Sequence, residues 1–236
     1  MAASPPDPRN SGLFCIVEGI DGSGKSTLLA HLSAALGETG LVQMFGDRFT
    51  GLRELREPTG GIVGRRIRQH LQAGDQLQAA EWLTLFFVDR AENVRDNIRP
   101  ALAAGELIIQ DRYFYSTAAY QGETPEHARR IVADSFAADF PEPGVVLYLD
   151  ITPDIAMQRI QHRAGQHAEQ NAQATQSSVK QNSPAALESF ETFEQLRRIH
   201  ANYNHVLPAH TLRLDAEQSP AQLCEIALAH LQTAAR

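Results

Sequence analysis

Residues 19–26, GIDGSGKS, fit the pattern G-x-x-x-x-G-K-[ST] at every fixed position. They follow the apolar run LFCIV at residues 13–17 and precede a helical pattern with Leu28, Leu29, Leu32 and Leu36 on one side. No other stretch limits the fold so tightly. Backbone N–H groups converge on a phosphate only where the chain adopts conformations costly for a residue with a Cβ. The helix start behind such a loop adds orphan donors and partial positive charge. Strand, phosphate loop and helix are therefore expected in that order. The cradle is read as Gly19, Ile20, Asp21, Gly22, Ser23, Gly24, Lys25, Ser26 and Thr27, with Lys25 on the β- and γ-phosphates of a nucleoside triphosphate and the Ser26 hydroxyl on Mg²⁺.

Further short apolar runs at residues 107–109, 145–149 and 211–214, with a weaker one at 41–45, read as buried parallel strands. Helical patterns fill the gaps, the longest over 76–104 with Val94, Ile98 and Leu102 on one ladder. Thr152-Pro153-Asp154 reads as N-cap, first helical residue and first-turn acid. Such alternation predicts an α/β fold, a three-layer sandwich whose five-stranded, mostly parallel sheet is flanked by helices, with ligands at the carboxyl ends of the strands.

The 236 residues suit one domain. With 21 basic against 28 acidic residues, net charge −7, the chain has no general field for nucleic acid or an anionic membrane, so an anionic ligand must be caught locally. No run is long and apolar enough to span a membrane, and the first residues lack an apolar signal core. Cys15 and Cys224 sit in apolar patterns as buried thiols of a reducing compartment, which makes the expected location cytoplasmic. Residues 1–12 are expected as a disordered tail and 13–236 as one domain. The stretch 161–182 carries six glutamines and no apolar stripe, and a mobile lid is expected at about 164–187. The nine histidines show no metal-ligand spacing.

A second set of ligand-like residues points to a second, anionic substrate: LREPTGG at 55–61, LFFVDRAENV at 85–94 and DRYFYSTAAYQG at 111–122. Phe86 and Arg90 share a helix face, so an aromatic plate and a fork of donors can address one flat ligand. Asp111 and Arg112 close the third strand, where Asp111 can organise Mg²⁺ through water and Arg112 can grip phosphate oxygens in a fork.

In order and approximate spacing, EGIDGSGKS, Arg56-Glu-Pro, Asp89-Arg-Ala and the segment from Asp111 resemble the motifs of the thymidylate kinase family of P-loop nucleoside monophosphate kinases, and the resemblance covers nearly the whole chain. It implies a P-loop kinase fold, ATP as donor with Mg²⁺, dTMP as acceptor and a homodimer, with no nucleic-acid or membrane partner. Phe86 would stack on thymine and Arg90 reach its carbonyl, while Thr117 and Gln121 edge the base and sugar. Tyr120 would fill the space of a ribose 2′-hydroxyl, and Asp21 accept from the 3′-hydroxyl. Arg112, with Arg56 beside it, would hold the acceptor phosphate. Family members without a basic residue in the P-loop take a catalytic arginine from the lid. With Ser23 in this loop, Arg163 and then Arg159 are the nearest candidates, with Lys180 third. His200 stands where an arginine is common, and Phe190-Glu191 and Tyr203 resemble the return helix. Kinases of another nucleoside monophosphate or of a deoxynucleoside, and a nucleotide-binding module without catalysis, remain open at this level.

Overall fold

All six residues of strand β1 (Leu13–Glu18) are buried, and the computed structural model explains why: strands pair with it in parallel on both edges. Residues 12–37, 39–75, 77–174 and 192–236 are described, with backbone alone for 167–174. The neighbours of β1 are β3 (Leu107–Asp111) and β4 (Val145–Asp150); β2 (Leu52–Arg56) and β5 (Leu212–Asp215) lie at the edges. The order is β2-β3-β1-β4-β5, every pair parallel, as the alternating pattern requires. Val17 stands opposite Asp111, and Asp111 opposite Arg56. Three strands thus deliver their carboxyl ends to one place, where an open α/β sheet binds ligands.

The phosphate loop leads from β1 into α1 (Lys25–Leu36), whose Leu28, Leu32 and Leu36 are buried. The second strand is not where the weak apolar run suggested. Residues 41–45 lie in helix α2 (Gly40–Phe45), with Leu41 buried and Val42 exposed, and β2 is the polar LRELR that follows. An edge strand pairs on one side and keeps solvent on part of its surface, so β2 needs few apolar residues and escapes a search for buried runs.

Beyond α3 (Ile62–Ala73), the long helical pattern appears as α4 (Ala79–Asn93), a π turn at Val94–Ile98 and α5 (Arg99–Ala103). Pro100 lies at the widened turn and has no N–H to return to the preceding turn. Val94 and Ile98 are buried as the ladder predicts, with Leu102 packed against the core. Helices α6 (Phe114–Gln121), α7 (Pro125–Ala137), α8 (Pro153–Ala174), α9 (Phe193–Val206) and α10 (Pro220–Ala234) complete the flanking layers. Thr152 accepts from Ile155 N–H at 3.4 Å, the cap expected at the start of α8.

Gly12, counted with the tail, donates its N–H to Leu102 O at 2.9 Å. Residues 1–11 lie outside the described residues. Of the expected lid, 164–174 continue α8, while the remainder with Lys180 lies outside them, as does Phe190-Glu191.

Candidate active site

The phosphate loop has the backbone its glycines permit. Gly22 has φ +82° and a Cβ there would stand 2.5 Å from Ala156 O; Gly24, at φ +99°, caps α1 in the left-handed region. Lys25 is buried and donates to Gly19 O at 2.8 Å and Ile20 O at 3.0 Å. Burial, then the charge of Arg112, pulls its ammonium below the usual lysine range. The side chain therefore lies folded over its own loop, hydrogen-bonded to neutral oxygens with Asp21 Oδ1 3.9 Å away. Ser26 is exposed at the start of α1 and lines the same cleft.

That cleft, about 1300 Å³, is lined by Asp21 through Thr27, Arg56, Phe86, Arg90, Asp111, Arg112, Thr117, Tyr120, Gln121, Arg159 and Arg163; of the site residues expected from the sequence, Gly19 and Ile20 do not line it and Lys180 lies outside the described residues. Gly19 and Ile20 serve through their carbonyls on Lys25.

On the wall formed by β2, α4 and α6, Arg90 is 1% exposed, and its Nε and Nη2 donate to Glu57 Oε2 at 2.9 and 2.7 Å. Nη2 also donates to Thr117 Oγ1 at 2.8 Å, while Nη1 is buried without a hydrogen-bond partner among the described residues. Glu57 Oε1 accepts from Asn93 at 3.1 Å and from Gln110 at 3.3 Å, and Gln110 donates in turn to Arg112 O at 2.9 Å. Burial raises the Glu57 carboxyl, and Arg90 and Asn93 oppose that rise. Phe86 is half-buried and stacks on Trp82 at 6.0 Å between ring centroids. Asp89 accepts from Thr59 N–H at 2.9 Å and Thr59 Oγ1 at 2.5 Å, which ties the loop after β2 to α4.

At the end of β3, Arg112 has φ +64° and its guanidinium meets Asp21, Ser116 Oγ at 3.1 Å and Tyr120 Oη at 3.3 Å, lying 4.9 Å from the Tyr120 ring centroid. Beneath it Glu18 is fully buried and accepts from Tyr113 N–H at 2.8 Å, Ser116 N–H at 3.3 Å, Ser116 Oγ at 2.5 Å and Tyr203 Oη at 3.0 Å. Asp111 Oδ1 is buried with no hydrogen-bond partner among the described residues.

Arg159 and Arg163 both reach the cleft from α8. Arg159 Nη2 donates to Ala216 O at 2.9 Å, and Nη1 is 4.0 Å from where a Cβ on Gly24 would stand. From α9, Arg198 lines the cleft and donates to Tyr120 O at 3.2 Å and Gly122 O at 3.3 Å; Asn202 also donates to Gly122 O, and to Ala119 O. His200, in the arginine-like position, instead meets Asp150 Oδ1 at 3.3 Å.

Sequence reasoning missed Glu18, Glu57, Gln110, Ser116 and Arg198 as site residues. Glu18 and Glu57 carried a usable signal, since each is a carboxylate at a strand's carboxyl end inside a motif already singled out.

A parallel sheet with a phosphate loop at its central strand and a second, cation-lined wall facing it defines a P-loop phosphotransferase that acts on two anionic ligands. The family model for thymidylate kinase matches residues 17–192. A thymidylate kinase of Leptospira borgpetersenii is 35% identical over 213 residues, 90% of each chain, and one of Leptospira interrogans 33% over the same span and shares. A thymidylate kinase of Xanthomonas campestris is 39% identical over 153 residues, 64% of this chain and 62% of its own. The chain belongs to the thymidylate kinase family. These likenesses do not favour a different nucleotide kinase or a non-catalytic module.

Proposed function

We infer that the chain is a nucleoside monophosphate kinase that phosphorylates dTMP to dTDP, with ATP as donor. The observation that carries the reading is the buried Arg90, held by Glu57 and Thr117 with Nη1 left over, in the same cleft as the phosphate loop. A buried guanidinium with one nitrogen unmet suits a ligand with a carbonyl at its edge, and Phe86 on the same helix face offers a plate for the base. Arg112, with Arg56 at the end of β2, is the proposed grip on the acceptor phosphate, and Gln121 closes the base and sugar wall. Tyr120, stacked on Arg112, would exclude a 2′-hydroxyl; Asp21 would take the 3′-hydroxyl in exchange for part of its bond to Arg112.

On the donor side, Lys25 would leave its two carbonyls for phosphate oxygens, a charge-assisted exchange. The Ser26 hydroxyl and the unmet Asp111 Oδ1 are hard oxygen donors that fit Mg²⁺, which this class binds through one or two protein oxygens plus phosphates. When bound, Mg²⁺ neutralises charge on the phosphates. Arg163 is proposed to approach the migrating phosphoryl group, while Arg159 stays with the donor nucleotide. Transfer through a loose transition state needs alignment and charge neutralisation, and the acceptor phosphate is already ionised, so no general base is required.

A homodimer is proposed through α3 and α4, where Ile62 is 77% and Val88 44% exposed. No helix among the described residues is long and apolar enough to cross a membrane; a cytoplasmic location is proposed from the two free, buried cysteines. A panel of acceptors with ATP and Mg²⁺ tests the function: dTMP should exceed AMP, GMP and CMP by orders of magnitude in kcat/KM. Equal turnover of any of these would overturn it.

A further inference from the structure

We propose that Glu57 is a positioning residue that sets acceptor-base selectivity, by fixing which nitrogen of Arg90 faces the cleft and by closing that wall to hydrogen-bond acceptors. The proposal rests on the dTMP kinase reading and deepens it. An arginine side chain is flexible and carries five N–H donors, so its charge alone does not say which of them a ligand meets. The aromatic contacts do not choose either. The Tyr113 and Phe140 ring centroids lie 5.2 and 5.8 Å from the Arg90 guanidinium carbon, and such contacts hold the plane without selecting a nitrogen. Selection comes from Glu57 Oε2, which takes both Nε and Nη2. Thr117 takes Nη2 as well, and Nη1 is what remains.

The same geometry removes acceptors. Glu57 lines the cleft, yet its Oε2 is filled by Arg90 and its Oε1 by Asn93 and Gln110. Thr117 Oγ1 accepts from Arg90, which leaves the hydroxyl proton to donate. The arrangement therefore leaves Nη1–H and the Thr117 O–H as unspent donors, with neither Glu57 oxygen free to accept. A pyrimidine with a carbonyl at its 4-position meets donors with an acceptor. A 4-amino pyrimidine sets donors against donors, and an unmet buried donor is costly.

The test compares kcat/KM for dTMP and dCMP, both with ATP, in wild type, Glu57→Gln and Glu57→Asp. Glu57→Gln keeps the shape but removes the charge and introduces an amide oxygen that can accept from an amino group. The dTMP-to-dCMP ratio should fall by about tenfold or more, the scale of one buried hydrogen-bond mismatch. The KM for ATP should stay within about twofold, because the altered group touches only the acceptor wall. Glu57→Asp covers the case in which Arg90 cannot be buried uncompensated. It retains the charge, but one methylene less withdraws the carboxylate from its double grip, so the ratio should fall here too while thermal unfolding stays cooperative. If either folded variant loses dTMP and dCMP turnover in equal proportion, Glu57 is merely structural and the proposal is overturned. A wild-type enzyme that used dCMP as well as dTMP would instead overturn the assignment of the acceptor.

Discussion

The two sides of the cleft hold their cations in different ways. On the acceptor side Arg90 and Arg112 are bound by side chains, Glu57 and Thr117 for one, Asp21, Ser116 and Tyr120 for the other. On the donor side the hydrogen bonds go to carbonyls, two of the loop for Lys25 and that of Ala216 for Arg159, with Asp21 Oδ1 at a longer 3.9 Å from the Lys25 ammonium. A carboxylate partner in a buried pair is expensive to give up, whereas a neutral carbonyl yields readily to a phosphate oxygen. The acceptor wall is thus preorganised, and the donor wall is arranged to change partners when it is loaded. Variants on the donor side should accordingly act on kcat or on the KM for ATP, and variants on the acceptor wall on the choice of substrate or on stability.

The largest effect is expected at Arg163 on α8. If Arg163 approaches the migrating group, Arg163→Ala should lower kcat by about 10³-fold or more, as loss of an arginine finger does, with little change in the dTMP KM. Arg159→Ala should mainly raise the KM for ATP, since that side chain is already docked beside the phosphate loop. Single-turnover kinetics on both variants separates the two. Near-normal kcat in the double variant would show that the donor side needs neither arginine.

Lys25→Ala should lower kcat by about 10²-fold or more, the scale of one preorganised electrostatic donor. The folded lysine sharpens the comparison. Its hydrogen bonds go to two loop carbonyls, and Asp21 keeps Arg112 when the ammonium is removed, so the variant should unfold at nearly the wild-type temperature while its turnover collapses. A large loss of Tm would mean that the Lys25 bonds are structural, and that the donor side is as fixed as the acceptor side.

The difference between the two walls also explains what the sequence could reveal. The phosphate loop is a local device, eight residues whose glycines and lysine act through their own backbone, so pattern alone placed it on the right strand and helix. Phe86 with Arg90 was legible because helical spacing puts them on one face, while Thr117, Tyr120 and Gln121 came from the resemblance; all of them line the cleft. The partners that hold them were not legible. Glu57 and Arg90 are 33 residues apart and Glu18 and Tyr203 are 185 apart, and only the parallel strand order brings them together. The edge strand was misplaced for a related reason, since β2 is recognised by what pairs with it and not by its own polar residues.

The smallest effect is expected at Tyr203, which reaches from α9 to the floor of the acceptor wall. Its hydroxyl lies 3.0 Å from Glu18 Oε2 and 2.8 Å from Ser116 Oγ, and all three groups are buried. Burial raises the Glu18 carboxyl above its ordinary 4.5, while Ser116, Arg112, Tyr113 and Tyr203 pull it back down. An acid whose folded pKa is raised holds its proton more tightly when folded. Its stabilising effect is therefore full below pH 4.5 and declines as pH rises through the folded pKa. Tyr203→Phe removes one donor to the ionised form, so the folded pKa should rise further and the decline should deepen. At pH values where Glu18 is ionised the variant should cost about 1 kcal/mol, the net worth of one hydrogen bond, or about 2–4 °C in Tm for a chain of this size. Near pH 4 the cost should be smaller, because a protonated Glu18 does not require that donor. Thermal unfolding of wild type and variant across this range reads the difference directly. A Tm gap that stays constant or widens toward acid would show that Tyr203 does not serve the Glu18 carboxylate, and that the acceptor wall is held from α9 by Arg198 and Asn202 alone.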